Sequence, residues 1–82
     1  EDYPHDTIRG NVCVVDDICD GGATFLSLAE MLNRSQPNIT SLNLYVTHGI
    51  FSKGVEELLK MYDTIYVHNN MNPDVENRVD VI

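Results

Sequence analysis

Hydrophobic positions in this chain follow two alternating patterns: short apolar runs, and stretches in which an apolar residue recurs every three or four positions. The runs predict three strands, Asn11–Val15, Leu42–Thr47 and Thr64–His68, with a short fourth strand at Val79–Ile82. The first run is continuously apolar and rich in β-branched residues, which is typical of a strand buried on both faces.

Two stretches with helical spacing separate the predicted strands. The first is expected to start at Thr24 and end near Asn33–Ser35, with apolar residues at Phe25, Leu26, Leu28, Ala29 and Leu32. The second is expected to have Ser52 as its N-cap, acidic residues in its first turn and Lys60 near its end, which suits the helix dipole. The elements therefore follow the order β-α-β-α-β, with the short strand after them.

This order of elements predicts an α/β fold. Strands joined by helices are parallel, and right-handed crossovers between neighbouring strands place both helices on one face of the sheet. If the strand order follows the sequence, the other face has no cover and exposes a large apolar surface, which monomers rarely do. We therefore expect the chain to pair with itself, to pair with another chain, or to be a piece of something longer.

Composition favours a small globular domain and disfavours several classes of function. The chain has 82 residues, 43% of them hydrophobic, so residues 1–82 are expected to form one domain at most. The net charge of −8 disfavours binding to nucleic acids and to anionic membranes. It also makes phosphate binding costly unless helix dipoles or a metal ion offset the repulsion. No apolar run approaches the roughly 20 residues of a membrane span. The first residues lack signal-peptide features, and Cys13 and Cys19 are expected to be reduced, which together predict a cytoplasmic location.

The candidate chemistry begins directly after the first predicted strand, where Asp16 and Asp17 stand. Ligands of parallel sheets bind at the carboxyl ends of the strands. Two carboxylates there can accept hydrogen bonds from ribose hydroxyls and can hold Mg²⁺; the alternative is a pair of solvated acids before a turn.

A glycine loop at the start of the first helix is the next candidate site, formed by Asp20, Gly21, Gly22, Ala23 and Thr24. Backbone N–H groups at such a loop favour an anion such as phosphate. The alternative is that Thr24 is only a helix cap and Asp20 only a turn former. No Gly-Lys-Ser/Thr follows, which excludes a Walker A loop.

A second candidate loop follows the second predicted strand, so we expect it to lie beside the first. Its candidate residues are Thr47, His48, Gly49 and Ser52. Ser52 could cap the second helix and do nothing more, and His48 could be a structural histidine. Lys53 either complements an anion or is simply solvated.

Two motifs in these loops carry a resemblance to a known family. Val12–Thr24 resembles the signature that binds phosphoribosyl pyrophosphate in type I phosphoribosyltransferases and ribose-phosphate pyrophosphokinases: four apolar residues, two acids and a glycine loop ending in Thr. Thr47–Gly54 resembles the Thr-His-Gly-x-Phe-Ser-Gly stretch of the pyrophosphokinases, although Lys53 stands where that family more often has a glycine or a small residue. Asp63–Asn70 resembles the strand that follows, and the resemblance covers roughly residues 8–70.

The resemblance implies a partial phosphoribosyltransferase-type, Rossmann-like domain with its core at about residues 9–70. Asp16 and Asp17 would bind ribose hydroxyls and Mg²⁺, and Asp20–Thr24 would bind the 5-phosphate. The expected function is binding of ribose 5-phosphate or phosphoribosyl pyrophosphate in nucleotide biosynthesis, incomplete for catalysis alone because the family's ATP-binding and catalytic-loop regions are not found in this sequence. Two alternatives stay open: a pyrophosphokinase or phosphoribosyltransferase subunit that is active only with a partner chain, and a non-catalytic structural remnant.

Overall fold

A single parallel sheet with two α-helices accounts for most of residues 9–82, the part of the chain that this computed structural model describes. Its elements are β1 (Gly10–Cys19), α1 (Ala23–Ser35), β2 (Ile39–Gly49), α2 (Glu56–Met61), β3 (Thr64–Asn70), a 3-10 helix (Pro73–Arg78) and β4 (Asp80–Val81). The strands pair in the order β1-β2-β3-β4, and each neighbouring pair is parallel. The predicted α/β fold with a parallel sheet is therefore confirmed. Residues 1–8 of the predicted domain lie outside the described residues.

The core lies between one face of the sheet and the two α-helices. In β2, Leu42, Leu44 and Val46 alternate with exposed or half-buried residues and are themselves buried, because successive strand residues point to opposite faces. Their neighbours from the other elements are Ile65 and Val67 of β3, Phe25, Ala29 and Leu32 of α1, and Leu58 of α2. The two helices also contact each other, so both cover the same face, as predicted. Among the described helices, none has the length and hydropathy that spanning a membrane requires.

The opposite face of the sheet, called the open face below, is more polar than we predicted. Its members are Asn11, Cys13 and Val15 of β1, Asn43 and Tyr45 of β2, and Thr64 and Tyr66 of β3. The expectation of a large apolar surface is wrong, because β2 alternates strictly and places Asn43 and Tyr45 here. Val15 is 69% exposed, so the described residues do not bury β1 on both faces. Polar groups bond across the face instead, as where the Ser41 hydroxyl donates to Asn11 Oδ1 at 2.7 Å.

The end of β1 differs from the prediction. The strand continues four residues past Val15 to Cys19, so Asp16 and Asp17 lie within it and not after it. The extension forms because β2 also runs further than predicted and supplies backbone partners as far as the pair Cys19 and Gly49.

The helix starts also differ from the prediction. α1 begins one residue early, at Ala23, after Gly22 in the left-handed conformation. The predicted Ser52 cap is wrong: α2 begins at Glu56, and Val55 holds the N-cap position without a capping side chain.

Two ionisable side chains lie in the core beneath the start of α1. The Tyr62 hydroxyl donates to the Phe25 carbonyl at 2.7 Å and so joins the end of α2 to the start of α1. Burial, reinforced by the negative charges of Asp20 and Asp16, raises the pKa of the Cys19 thiol from 9.0 to about 11. Burial, together with the nearby Cys19, raises the pKa of Tyr62 to about 12. Both groups are therefore neutral in the folded chain at neutral pH.

Both cysteines are free, in agreement with the prediction. Cys13 is exposed and lies six residues before Cys19 on the same strand. Six strand residues span roughly 20 Å, which is far beyond the reach of a disulfide.

We predict that Gly49→Ala destabilises the fold by about 1–3 kcal/mol, the usual cost of overpacking a core. Gly49 lies under the fully buried ring of Phe51, and a Cβ there would overlap three ring atoms. Urea denaturation measures the change. Gly21→Ala is the control, because its Cβ would meet only the Lys53 side chain, at 3.9 Å; we expect it to change the free energy of unfolding by less than about 0.5 kcal/mol. Equal losses in the two variants would contradict the packing.

The raised pKa of Cys19 predicts that stability falls in alkali. Below pH 9.0 the thiol is neutral in both states. Above it the thiol ionises first in the unfolded chain and so stabilises that state, until the folded thiol also ionises near pH 11. The free energy of unfolding should therefore fall by about 2 kcal/mol between about pH 8 and about pH 10.5 through this group. Urea denaturation at both pH values should show a smaller fall for Cys19→Ala than for wild type, with Cys13→Ser controlling for loss of a thiol as such. Equal falls for Cys19→Ala and wild type would refute the assignment.

Candidate functional site

A pocket of about 340 Å³ opens at the carboxyl edge of the sheet, between the end of β1 and the start of α1. Its walls are Asp16 and Ile18 of β1, Asp20 and Gly21 of the connecting loop, and Gly22, Ala23, Thr24 and Phe25. The carboxyl edge is where parallel sheets bind ligands. Every residue of the predicted phosphate loop therefore lines one cavity.

Gly22 makes the tight entry into α1 possible. Its φ of 87° lies in the left-handed region, where a residue with a side chain is strained. A Cβ there would also stand 3.3 Å from Leu58 Cδ1, closer than ordinary packing allows. A glycine is therefore needed at this position for two separate reasons, backbone conformation and the approach of α2.

The N-terminus of α1 is left without an internal partner. The first intrahelical bond runs from the Leu26 N–H to the Gly22 carbonyl at 3.0 Å. Within the described residues, the N–H groups of residues 21–25 donate to no other backbone group and to no side chain. The first turn also holds no acidic residue, the usual complement to a helix N-terminus. These N–H groups belong to residues that line the pocket, and no acidic side chain of the first turn compensates their partial positive charge.

The two adjacent acids do not both enter the pocket. Asp16 lines it, and its Oδ1 accepts a hydrogen bond of 2.7 Å from the Asp17 N–H. Asp17 is not among the lining residues, because adjacent residues of a strand project to opposite sides. Neither acid makes an ion pair with any residue between 9 and 82. The prediction that both acids line the site assumes that the strand ends before them, whereas β1 continues to Cys19.

The second candidate loop lies directly beside the first, as predicted. Ile18 and Cys19 of β1 pair with His48 and Gly49 of β2. After Gly49, the N–H groups of Ile50 and Phe51 both donate to the Cys19 carbonyl, at 2.9 and 3.1 Å. The Ser52 N–H then donates to the Asp20 carbonyl at 2.9 Å. The second loop thus bonds to the carbonyl groups of Cys19 and Asp20. It does not bond to the N–H groups of residues 21–25.

The remaining residues of the second loop lie at its edge. His48 is exposed, and its Nδ1 is 3.4 Å from the Asn69 side-chain nitrogen. Thr47 is half-buried in β2. Neither residue lines the pocket, so the structure brings the second loop to the site through its backbone and not through these side chains.

Asn72 fixes the second loop from the other side, which the sequence did not indicate. Its side-chain amide donates to the Phe51 carbonyl at 2.8 Å, and its Oδ1 accepts from the Asp74 N–H at 2.9 Å. Phe51 has a φ of 50°, a strained value for a residue with a side chain. Hydrogen bonds on both sides of Phe51 and the complete burial of its ring hold it there.

Lys53 is a further residue of interest, for which the sequence allows either a role beside an anion or a solvated side chain. Its Cε and Cδ lie 3.9 and 4.0 Å from the position that a Cβ of Gly21 would occupy. The side chain therefore lies along the phosphate loop. It makes no ion pair with residues 9–82.

The described residues do not form a metal site by themselves. Within residues 9–82, no three His, Cys, Asp or Glu side chains come together as a protein-made metal centre requires. Mg²⁺ is commonly held by one or two carboxylates together with substrate phosphates and water. Asp16, unpaired with any cation of the described residues and open to the pocket, fits that lesser role.

Comparison with known proteins agrees with the resemblance described above. A ribose-phosphate pyrophosphokinase of Mycoplasmopsis pulmonis (strain UAB CTIP) is 34% identical to the chain over 64 residues, which is 76% of this chain and 19% of that protein. The chain thus spans about a fifth of the length of the curated relative that it matches. No family model matches the chain, and no solved structure matches it. The similarity to ribose-phosphate pyrophosphokinase that the two loop motifs indicated is confirmed for this part of the molecule.

Proposed function

We propose that the chain binds a phosphorylated pentose, ribose 5-phosphate or phosphoribosyl pyrophosphate, as a partial domain of the ribose-phosphate pyrophosphokinase type. One observation carries the proposal: the end of β1 and the start of α1 form a pocket that contains a helix N-terminus capped by no described residue and the Asp16 carboxylate, which pairs with no cation of residues 9–82. The pocket volume of about 340 Å³ suits a ligand of that size, at the lower end of ordinary small-molecule sites.

The helix end of the pocket is proposed to take the 5-phosphate. The N–H groups of residues 21–25 offer donors for phosphate oxygens, and the helix dipole favours the negative charge. Thr24 lies in the first turn and adds a hydroxyl beside them. The absence of an acidic residue in this turn removes the commonest competitor for the same groups.

The strand end of the pocket is proposed to take the ribose hydroxyls. Asp16 can accept hydrogen bonds from two neighbouring hydroxyls, because one ionised carboxylate has several acceptor positions. Asp17, the other predicted ligand, lies outside the pocket lining, so we rank it below Asp16.

Because the pocket and the chain are negatively charged, the proposal includes a bound cation. The chain carries a net charge of −8, and Asp16 and Asp20 both border the pocket, so a phosphate dianion meets repulsion there. Mg²⁺ bound between Asp16 and the ligand would offset this repulsion.

Complete catalysis is proposed to need more of the protein than these 82 residues, since the chain matches only 19% of its relative. A subunit that becomes active with a partner chain is the second candidate. The observation that favours it is the open face, where Val15 of the edge strand β1 is 69% exposed in one row with Tyr45 and Tyr66. Nucleotide biosynthesis in the cytoplasm is the expected setting under both candidates.

Calorimetry with ribose 5-phosphate and Mg²⁺ tests the proposal on the 82-residue chain. We expect saturable binding by wild type and a loss of about tenfold or more in Asp16→Asn, because a hydrogen bond to a charged acceptor is lost. Asp17→Asn should lose less. Glu30→Gln removes the same charge from the exposed side of α1 and is the matched control.

Two results would contradict the proposal. The first is no detectable binding by folded wild type, which would leave the structural remnant as the better account. The second is an Asp16→Asn variant that binds as tightly as Glu30→Gln, which would remove the carboxylate from the site.

A further inference from the structure

Lys53 lies where it can supply the positive charge that the proposed phosphate site lacks. Its alkyl chain lies along Gly21, the second residue of the phosphate loop. The ammonium group is one bond beyond Cε, and the side chain is exposed, so it can turn toward an anion at the loop.

We propose that Lys53 is a phosphate-binding residue of this site and makes it selective for phosphorylated over neutral sugars. This inference rests on the proposed function. It concerns a side chain that the resemblance does not explain, since the related motif more often has a glycine or a small residue there.

The distribution of basic residues supports this role. The chain has five Lys and Arg residues, at positions 9, 34, 53, 60 and 78. Arg9 precedes β1 and Arg34 lies in the last turn of α1, so both are at the opposite edge of the sheet from the pocket. Lys60 is paired with Glu57 at 3.0 Å, and Arg78 lies beside it near α2. Lys53 alone among the five lies against the phosphate loop.

The backbone around Lys53 is fixed relative to that loop. The residue before it, Ser52, donates its N–H to the Asp20 carbonyl at 2.9 Å. The residue before that, Phe51, is held by the Cys19 carbonyl on one side and by the Asn72 side chain on the other. Only the side chain of Lys53 must be ordered when a phosphate binds, which keeps the entropic cost to that of one long side chain.

The test compares Lys53→Met, which keeps the length and removes the charge, with Lys53→Arg, which keeps the charge. Calorimetry measures the affinity of each for ribose 5-phosphate and for ribose, at low and high sodium chloride. We expect Lys53→Met to lose about tenfold or more in affinity for ribose 5-phosphate, and to bind it with a weaker salt dependence than wild type. Lys53→Arg should stay within about threefold of wild type, since an arginine also pairs with phosphate. Lys60→Met is the control for loss of a lysine elsewhere and should bind like wild type.

The outcomes separate this inference from the proposed function. If wild type binds ribose 5-phosphate and Lys53→Met binds it equally well, the role of Lys53 is refuted and the site stands. An equal loss in Lys60→Met would also refute it, because the effect would then be one of net charge. If folded wild type binds no ribose 5-phosphate, the site and the role of Lys53 fail together.

Discussion

The site depends on three backbone hydrogen bonds that join the loop after β2 to the end of β1. Ile50 and Phe51 donate to the Cys19 carbonyl, and Ser52 donates to the Asp20 carbonyl. All three bonds accept at carbonyl groups, two at Cys19 and one at Asp20, the first residue of the phosphate loop. The N–H groups at the start of α1 take no part in these bonds and, within residues 9–82, remain available to the proposed anion.

A strained residue and a glycine make this arrangement possible. Phe51 must adopt a positive φ to turn back toward Cys19, and such a conformation costs on the order of 1–3 kcal/mol. Burying its ring returns roughly the same amount, about 1.5–3 kcal/mol. The ring can be buried only because Gly49 has no side chain beneath it. Asn72, from the segment after β3, then holds the Phe51 carbonyl, so three strands contribute to the position of one loop.

Much of the fold could be predicted from the sequence, because the apolar runs and the helical stripes are local signals. The parallel strands and the shared face of the helices follow from these signals and the rule for crossover connections. The open face differs from the prediction because Leu42, Asn43, Leu44 and Tyr45 alternate in β2, so the apolar residues of this strand lie on the core face only.

The details of the site were less predictable, since they depend on contacts between distant residues. The position of Asp16 inside the pocket and Asp17 outside it follows from the pairing of β1 with β2 as far as Gly49. The position of Lys53 beside Gly21 depends on how the second loop lies against the first, and the bond from Asn72 spans 21 residues. No local pattern in the sequence encodes either contact. The glycine loop itself was predictable because Gly22 and the helix behind it are adjacent in the chain.

The proposed function requires the N–H groups at the start of α1, which have no partner within residues 9–82, to bind a phosphate. Titration of the ¹⁵N-labelled chain with ribose 5-phosphate, followed by two-dimensional ¹H–¹⁵N NMR, tests it most directly. We predict that the amide signals of residues 21–25 shift first and furthest, while those of Tyr45 and Tyr66 on the open face stay in place. Saturable shifts confined to other residues, or unmoved signals for residues 21–25 at saturating ligand, would contradict it.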